Sequence, residues 1–162
     1  MSVVDFGAGG GAYVFAIAER LEGAGHIFAI DIQRDLLRRI HTEAARRGHK
    51  NIEVLWSDLE GGHASKLAEH SIDVVLMSNL LFQLSDKAVV FHEAHRVLRP
   101  RGKLVLIDWS DSFRHMGPHP RDVVKKEEAL SLARNCGFEL AREFDAGAHH
   151  YGLMLRPIQK RA

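Results

Sequence analysis

The sequence has one cysteine, almost no net charge and no long apolar run. Because Cys136 is the only thiol among the 162 residues, an internal disulfide and a cysteine-rich metal site are both excluded. The formal charge of +1 gives no global attraction to nucleic acid or to acidic lipid. No segment approaches the ~18 apolar residues of a membrane span, and none has the order of a secretory signal. We therefore expect a single domain over residues 1–162, located in the cytoplasm and bound to neither membrane nor nucleic acid.

Short apolar runs alternate with stretches of helical period along most of the chain. The runs are almost continuously hydrophobic, which suits strands covered on both faces, as in a parallel sheet. Helical stretches are predicted around residues 14–21, 34–48, 86–98 and 129–136, and residues 60–70 form either a short helix or a loop. The predicted strands are Ser2–Phe6, His26–Asp31, Ile52–Trp56, Ile72–Ser78 and residues 103–109.

The end of the chain follows a different pattern. Residues 138–145 and 149–156 are two alternating runs joined by three small residues, with no room for a crossover helix. Such runs predict an antiparallel hairpin. The predicted fold class is therefore α/β, with a doubly wound Rossmann-like sheet that is mostly parallel and ends in an antiparallel hairpin.

The strongest local signal is a glycine-rich loop between the first predicted strand and the first helix. The loop reads Asp-Phe-Gly-Ala-Gly-Gly-Gly from Asp5 to Gly11. Glycines permit positive φ angles and leave no Cβ in the way, so the backbone can approach a bulky ligand closely. Gly7, Gly9 and Gly11 give the spacing Asp-x-Gly-x-Gly-x-Gly, whereas Gly7, Gly9 and Ala12 fit the dinucleotide-binding pattern. The loop alone leaves both cofactor classes open.

Two acidic residues close the second and third predicted strands. Asp31 lies 24 residues after Gly7, where a carboxylate can accept hydrogen bonds from adjacent ribose hydroxyls. The same position suits a cap of the following helix, and Asp31 can serve both purposes. Asp58 is interpreted either as a turn residue or as a contact to a purine edge.

The order of these segments resembles the seven-stranded S-adenosylmethionine-dependent methyltransferases along nearly the whole chain. The resemblance rests on the glycine loop, the two acids, residues 78–84 after strand four, and the turn at residues 96–104, where Pro100 ends a helix and Gly102 leads into strand five. It implies S-adenosyl-L-methionine as the cofactor and a small molecule as the methyl acceptor. The cofactor-binding residues that it implies are Asp5, Gly7, Ala8, Gly9, Gly11, Asp31, Ile32, Asp58, Leu59, Ser78 and Asn79.

The chain departs from this family at its start. Members usually carry one or two helices that close over the cofactor, whereas here the first predicted strand begins at Ser2. Exposed apolar surface at such a mouth tends to mark an interaction site. We expect a cover from residues 110–122, from a second copy or from a partner, and we hypothesise a homodimer whose contact lies near the cofactor mouth.

Eleven histidines raise the question of a metal site. His92 and His95 have i, i+3 spacing rather than the i, i+4 spacing of a zinc helix, and both are predicted to lie on a solvated helix face. We therefore predict no bound metal. A substrate or general-base role is open for histidines near the predicted substrate mouth. These are His115, His119, His149 and His150.

Direct methyl transfer depends mainly on proximity and orientation, so no dedicated catalytic residue is required. Asn79 and His115 are the candidates for such a role.

Two alternative functions stay open. A NAD-binding oxidoreductase shares the glycine loop and Asp31, but the Arg-Pro-Arg-Gly turn and the terminal hairpin speak against it. A methyltransferase-like subunit that binds cofactor or a partner without catalysis is the second alternative.

Overall fold

A computed structural model describes residues 1–61 and 64–159 of the chain. Seven strands and four α-helices alternate along it, with 3₁₀ turns at Leu59–Gly61, Leu81–Gln83 and Pro120–Asp122. In chain order the elements are β1 (Ser2–Phe6), α1 (Ala12–Leu21), β2 (His26–Asp31), α2 (Arg34–Arg47), β3 (Ile52–Trp56), β4 (Ile72–Ser78), α3 (Lys87–Val97), β5 (Leu98–Trp109), α4 (Lys126–Asn135), β6 (Phe138–Asp145) and β7 (His150–Pro157).

The strands form one sheet in the order β3-β2-β1-β4-β5-β7-β6. The first five strands are parallel to one another, while β7 runs antiparallel to both β5 and β6. The predicted α/β fold and its terminal hairpin are confirmed. The carboxyl ends of β1 to β5 meet at one edge of the sheet, and β7 begins at that same edge. We call this the carboxyl edge.

Helices cover the two faces of the sheet unequally. On one face, α3 and α4 pack over a large apolar core that includes Val4, Phe6 and Met77. On the other face, α1 and α2 cover β2 and β3 through a smaller cluster. The part of that second face formed by β4, β5 and β7 carries no described helix, so apolar side chains such as Ile107 and Met154 are only half-buried there. We call this part the open face.

Helix boundaries follow local chemistry. Gly48 ends α2 in the left-handed region with φ 75°, which glycine adopts without strain. Asp86 begins α3, and its carboxylate accepts a hydrogen bond from the Val89 N–H. None of the helices in the described part of the chain is long and apolar enough to cross a bilayer.

The structure corrects two details. The predicted turn before β5 is absent as a separate element, because β5 already begins at Leu98 and residues 99–102 form an irregularity in its ladder with β4. His95 does not lie on a solvated face, since its half-buried ring packs edge-on against Phe138 at 5.3 Å between centroids. His92 is exposed as predicted. Within the ambiguous stretch 60–70, residues 62 and 63 lie outside the described residues.

Candidate functional site

The glycine loop crosses the carboxyl edge between β1 and α1. Gly7, Gly9 and Gly11 all have positive φ angles, of 78°, 52° and 81°. A Cβ on Gly7 would come within 2.9 Å of the Leu80 side chain, and one on Gly11 would come within 2.8 Å of Ile40. A Cβ on Gly9 would meet nothing within 4 Å. Gly7 and Gly11 are therefore required by packing inside the protein, whereas Gly9 borders open space.

Asp31 ties this loop to the next helix. Its Oδ2 accepts a hydrogen bond from the Gly9 N–H at 2.9 Å, and its Oδ1 accepts one from the Gln33 N–H at 2.8 Å. The second bond closes a turn just before α2, whose N-cap residue is Gln33 and has no side-chain cap, so Asp31 is not the helix cap that the sequence suggested. Each carboxylate oxygen has two lone pairs, so these bonds leave acceptor capacity for further donors.

A cavity of about 240 Å³ lies beside Asp31 at the carboxyl edge. Ile32 is 56% exposed at its rim, whereas the Leu59 side chain is buried. The exposed Asp58 accepts a hydrogen bond from the Glu60 N–H at 3.0 Å, so it acts as a turn residue and also lines the cavity. The complete lining is Gly7, Gly9, Asp31, Ile32, Gln33, Ser57, Asp58, Leu59, Glu60, Leu80, Gln83 and Leu84.

Asp5 carries a buried carboxyl group that is not fully hydrogen-bonded. It is 2% exposed, and its Oδ1 has no hydrogen-bond partner. Burial, with a smaller contribution from the neighbouring Asp31 carboxylate, raises the pKa of Asp5 to about 7. Such perturbed carboxyl groups concentrate at ligand sites, because the protein accepts their cost for the sake of function.

The segment after β4 is held in a fixed conformation. Asn79 has a φ of 53°, and its N–H donates to the Ile107 carbonyl at 2.9 Å. Both Ser78 Oγ and Asn79 Oδ1 are buried and have no partner. These two residues therefore present unsatisfied polar atoms at the carboxyl edge, next to the glycine loop.

Asp108 is a site residue that the sequence reasoning missed. Its fully buried carboxylate accepts the N–H groups of Leu80 and Leu81 at 3.1 and 2.9 Å, and that of Trp109 at 2.8 Å. Burial raises its pKa, although these three backbone donors oppose the effect. The available signal was an acid at the end of the otherwise apolar strand Leu-Val-Leu-Ile-Asp-Trp. Asp108 fastens the segment that carries Asn79 to the end of β5.

The loop after β5 folds back over the end of that strand. Gly117 lies so close to the Trp109 ring that a Cβ there would come within 2.8 Å of it. Phe113 stacks on the His149 ring at 4.1 Å between centroids, and the His149 Nδ1 lies 2.8 Å from an Asp111 oxygen. His115 is exposed and has a φ of 62°, and it does not line the cavity at Asp31.

A larger groove, of about 990 Å³, lies between α1 and α2. It is more open than the cavity at Asp31, and charged side chains that pair with one another line much of it, including Glu43 with Arg47 and Asp35 with Arg38. Because these paired side chains already neutralise one another, they do not point to a ligand site. The smaller cavity at the carboxyl edge is the better candidate site, since ligands of such sheets bind there.

Comparison with known proteins identifies the family. A family model described as a methyltransferase domain matches residues 1–140. A curated arsenite methyltransferase of Halobacterium salinarum is 26% identical over 130 residues, covering 80% of this chain and 32% of its own length. Nocamycin O-methyltransferase of Saccharothrix syringae is 33% identical over 106 residues, covering 65% of this chain and 37% of its own length. The chain thus spans about a third of the length of these relatives.

A solved structure agrees with the family assignment. The crystal structure of an S-adenosylmethionine-dependent methyltransferase from Aquifex aeolicus aligns with a TM-score of 0.87 at 26% identity. The alignment covers 98% of this chain and 82% of the Aquifex chain. The similarity therefore extends over the whole sheet, including the terminal hairpin.

Proposed function

Because this chain belongs to the S-adenosylmethionine-dependent methyltransferase domains, we propose that it binds this cofactor at the carboxyl edge and methylates a small organic molecule. The observation that carries the proposal is the open backbone at Gly9, which lies next to the Asp31 carboxylate and the 240 Å³ cavity. A loop without a side chain, next to a carboxylate that can accept hydrogen bonds from hydroxyl groups, fits a nucleoside ligand.

The site residues fit the parts of the cofactor. Asp31 has the acceptor capacity to bind two ribose hydroxyls, while Ile32 and Leu59 offer apolar contacts to the base. Asp5 and Asn79 supply buried oxygen atoms without partners, which suit the positively charged methionine end. We assign the same binding role to Gly7, Ala8, Gly11, Asp58 and Ser78, as the sequence predicts.

When bound, the cofactor supplies an electrophilic methyl group on a sulfonium. The protein's contribution is to hold the acceptor in line with that group and to exclude water. Asn79 is our candidate for facing the reacting atoms. Its N–H donates to the Ile107 carbonyl, and the Asp108 carboxylate holds the N–H groups of the two residues that follow it. His115 is a weaker candidate, because it is exposed on the loop after β5.

The acceptor is proposed to be organic. Two curated relatives are named arsenite methyltransferases, and others are named for nocamycin, demethylmenaquinone and aklanonic acid. Arsenic(III) is thiophilic, yet the single thiol of this chain, Cys136, is buried beneath α3 and α4 with its pKa raised by burial. This chain alone therefore has no thiolate at the carboxyl edge to hold arsenite, which favours the organic acceptors.

Calorimetric titration with S-adenosylmethionine, S-adenosylhomocysteine and NAD tests the proposal. We expect both sulfur ligands to bind and NAD not to bind. Asp31→Ala removes charge-assisted bonds of roughly 1.5–3 kcal/mol each, so cofactor affinity falls about tenfold or more. Asp35→Ala is the matched control, because Asp35 lies exposed on α2 and pairs with Arg38. Tight NAD binding, or equal affinities in both variants, would contradict the assignment.

A further inference from the structure

The two edge strands of the sheet differ in how they are protected. β6 forms one edge, where its ladder with β7 shifts register at Ala141 and charged residues such as Arg142 and Asp145 are exposed. Bulges and charges are common means by which an edge strand avoids pairing with another chain. β3 forms the other edge with a regular ladder and the sequence Ile-Glu-Val-Leu-Trp, in which Glu53 is the one charged residue. β3 is therefore the edge to which another strand can be added.

Alternate residues of β3 direct their backbone away from the sheet. The Ile27 N–H donates to the Asn51 carbonyl at 2.8 Å, and the Ser57 N–H donates to the Asp31 carbonyl at 3.2 Å. Along one side of a parallel ladder only every second residue of a strand forms the hydrogen bonds. The odd-numbered residues from 51 to 57 therefore face β2, and the even-numbered residues face outward.

We call the outward residues Ile52, Val54 and Trp56 the free edge. The Trp56 carbonyl accepts a hydrogen bond from the Lys66 ammonium at 3.0 Å. Within residues 1–61 and 64–159, no hydrogen bond reaches the outward backbone groups of Ile52 and Val54. These N–H and C=O groups are available to the backbone of a partner in extended conformation.

A groove of about 730 Å³ runs beside the free edge, between β3 and α2. Its floor is apolar, since Leu37 is buried, Val54 is half-buried and Trp56 is 41% exposed. A segment that pairs with the free edge would place every second side chain on the α2 side, over this floor. The other lining residues are Arg34, Asp35, Arg38, His41 and Thr42.

Positive charge surrounds the free edge. The Arg34 guanidinium lies 3.9 Å from the centroid of the Trp56 ring, and the Lys66 ammonium lies 5.5 Å from it. Lys50 is exposed just before β3. None of these three cations has an ion-pair partner among the described residues.

The acids of this region do not neutralise these cations. Asp35 pairs with Arg38, and Glu53 contacts His26 at 3.1 Å. Asp58, which follows the strand, lines the cofactor cavity. A second copy of the chain would bring the same excess of positive charge to the contact, whereas an acidic segment neutralises it.

We propose that the free edge binds an extended segment of a partner protein, which adds an eighth strand to the sheet and carries apolar residues between acidic ones. Its backbone pairs with Ile52 and Val54, and its apolar side chains lie over the floor of the groove. An acidic residue near Lys66 gives that ammonium an ionised acceptor, which leaves the Trp56 carbonyl free for pairing. The inference does not depend on the proposed function.

Peptide probes test the pairing. A labelled, capped peptide of seven residues, with two aspartates at each end and Val-Thr-Val between them, is titrated with the protein and followed by fluorescence anisotropy. We expect saturable binding that weakens about tenfold or more when lysines replace the aspartates. N-methylation of the three central residues keeps the charges and side chains but removes the donors for strand pairing, and it should also weaken binding about tenfold or more.

Variants of the protein test the same contact from the other side. Val54→Pro removes an N–H that points away from β2, so the ladder is kept, and peptide binding should fall about tenfold or more. The double variant Arg34→Gln, Lys66→Gln leaves the backbone unchanged and should weaken binding by a similar factor, which keeps the test decisive if the proline variant does not fold. Arg142→Gln is the matched control, an exposed arginine on the opposite edge strand, and should stay within about threefold.

Several results would overturn the inference. It fails if the acidic peptide does not bind at up to about 1 mM, or if the lysine or N-methylated peptide binds equally well. Equal binding of a single-stranded oligonucleotide would make this a nucleic-acid surface, and self-association that Val54→Pro abolishes would assign the edge to a second copy. Calorimetry with S-adenosylhomocysteine on the same variants should give affinities within about threefold of wild type. Loss of peptide binding alone leaves the proposed function intact, and absence of cofactor binding leaves this inference intact.

Discussion

Replacing Asp5 by asparagine should stabilise the free protein while weakening its ligand binding. Asp5 is fully buried, its Oδ1 has no partner, and its pKa is raised from 3.8 to about 7 by burial and by Asp31. The folded protein therefore keeps this proton up to about pH 7, whereas the unfolded chain loses it near pH 4. Stability contributed by the raised pKa is present at acidic pH and is lost as the pH rises through 7.

The size of this effect follows from the shift. A shift of about three pKa units corresponds to roughly 4 kcal/mol, at 1.36 kcal/mol for each unit. Asparagine carries no charge at any of these pH values, but its amide donors lack partners at this site, which costs about 1–3 kcal/mol. Above pH 8 we therefore expect Asp5→Asn to raise the free energy of unfolding by about 1–3 kcal/mol. Below pH 5 the variant should be no more stable than the wild type.

Affinity should change in the opposite direction. S-adenosylmethionine carries positive charge, so it binds more tightly when Asp5 is ionised, and wild-type affinity should rise between pH 5.5 and pH 8. In Asp5→Asn this rise should disappear, and affinity at pH 8 should fall about tenfold or more, the equivalent of one charge-assisted bond.

Urea unfolding at several pH values, combined with calorimetry, provides the assay. Asp73→Asn is the control of opposite sign: burial raises the pKa of Asp73, but the Ser2 N–H and the Arg99 guanidinium together lower it. Its stabilising contribution is present near neutral pH and is lost as the pH falls. If Asp5→Asn destabilises the protein equally at every pH, Asp5 does not carry a proton in the folded state, and the reasoning is wrong.

Three further predictions concern the loop, the core and self-association. Gly9→Ala should weaken cofactor binding about tenfold, because its Cβ would occupy the open ligand side at a φ of 52°. The control Gly10→Ala should change affinity less than about threefold, and equal losses in the two variants would refute the role of Gly9. Glu93→Gln should lower the free energy of unfolding by about 3 kcal/mol, since it breaks a buried pair with Arg96 at 2.8 Å and bonds to Ser65; thermal or urea melts decide this. The proposed homodimer should show a mass in light scattering that rises with concentration, and a constant monomer mass with tight cofactor binding would exclude it.

The fold could be predicted because its signals are local. Each parallel strand is a short apolar run, and each α-helix has a periodic apolar stripe whose burial the structure confirms, such as Leu37, Ile40 and Ala44 in α2. The hairpin could be predicted because only three small residues separate two alternating runs. The start of β5 was not visible, because Pro100 and Gly102 normally mark a turn, whereas pairing of Leu98 with Ile72 draws this segment into the sheet.

The functional residues also divide into those that a local motif predicts and those whose partners are distant in the sequence. The glycine loop and Asp31 are contiguous motifs at fixed positions after strands, so the sequence predicts where they lie. Asp108 and the Leu80 and Leu81 N–H groups that it binds are far apart along the chain, and they meet only because β5 lies parallel beside β4. His95 was misplaced for a related reason: the ring of Phe138, which buries it, comes from a distant strand. Partners brought together by topology leave no local signal in a single sequence.

A crystal structure of the protein with S-adenosylhomocysteine tests the central claim most directly. The account predicts that the ligand crosses the carboxyl edge at Gly9, that its ribose hydroxyls bind Asp31, and that the buried oxygens of Asp5 and Asn79 gain partners from it or from bound water. A ligand in the groove between α1 and α2, or one at the carboxyl edge without contact to Asp31, would contradict the account.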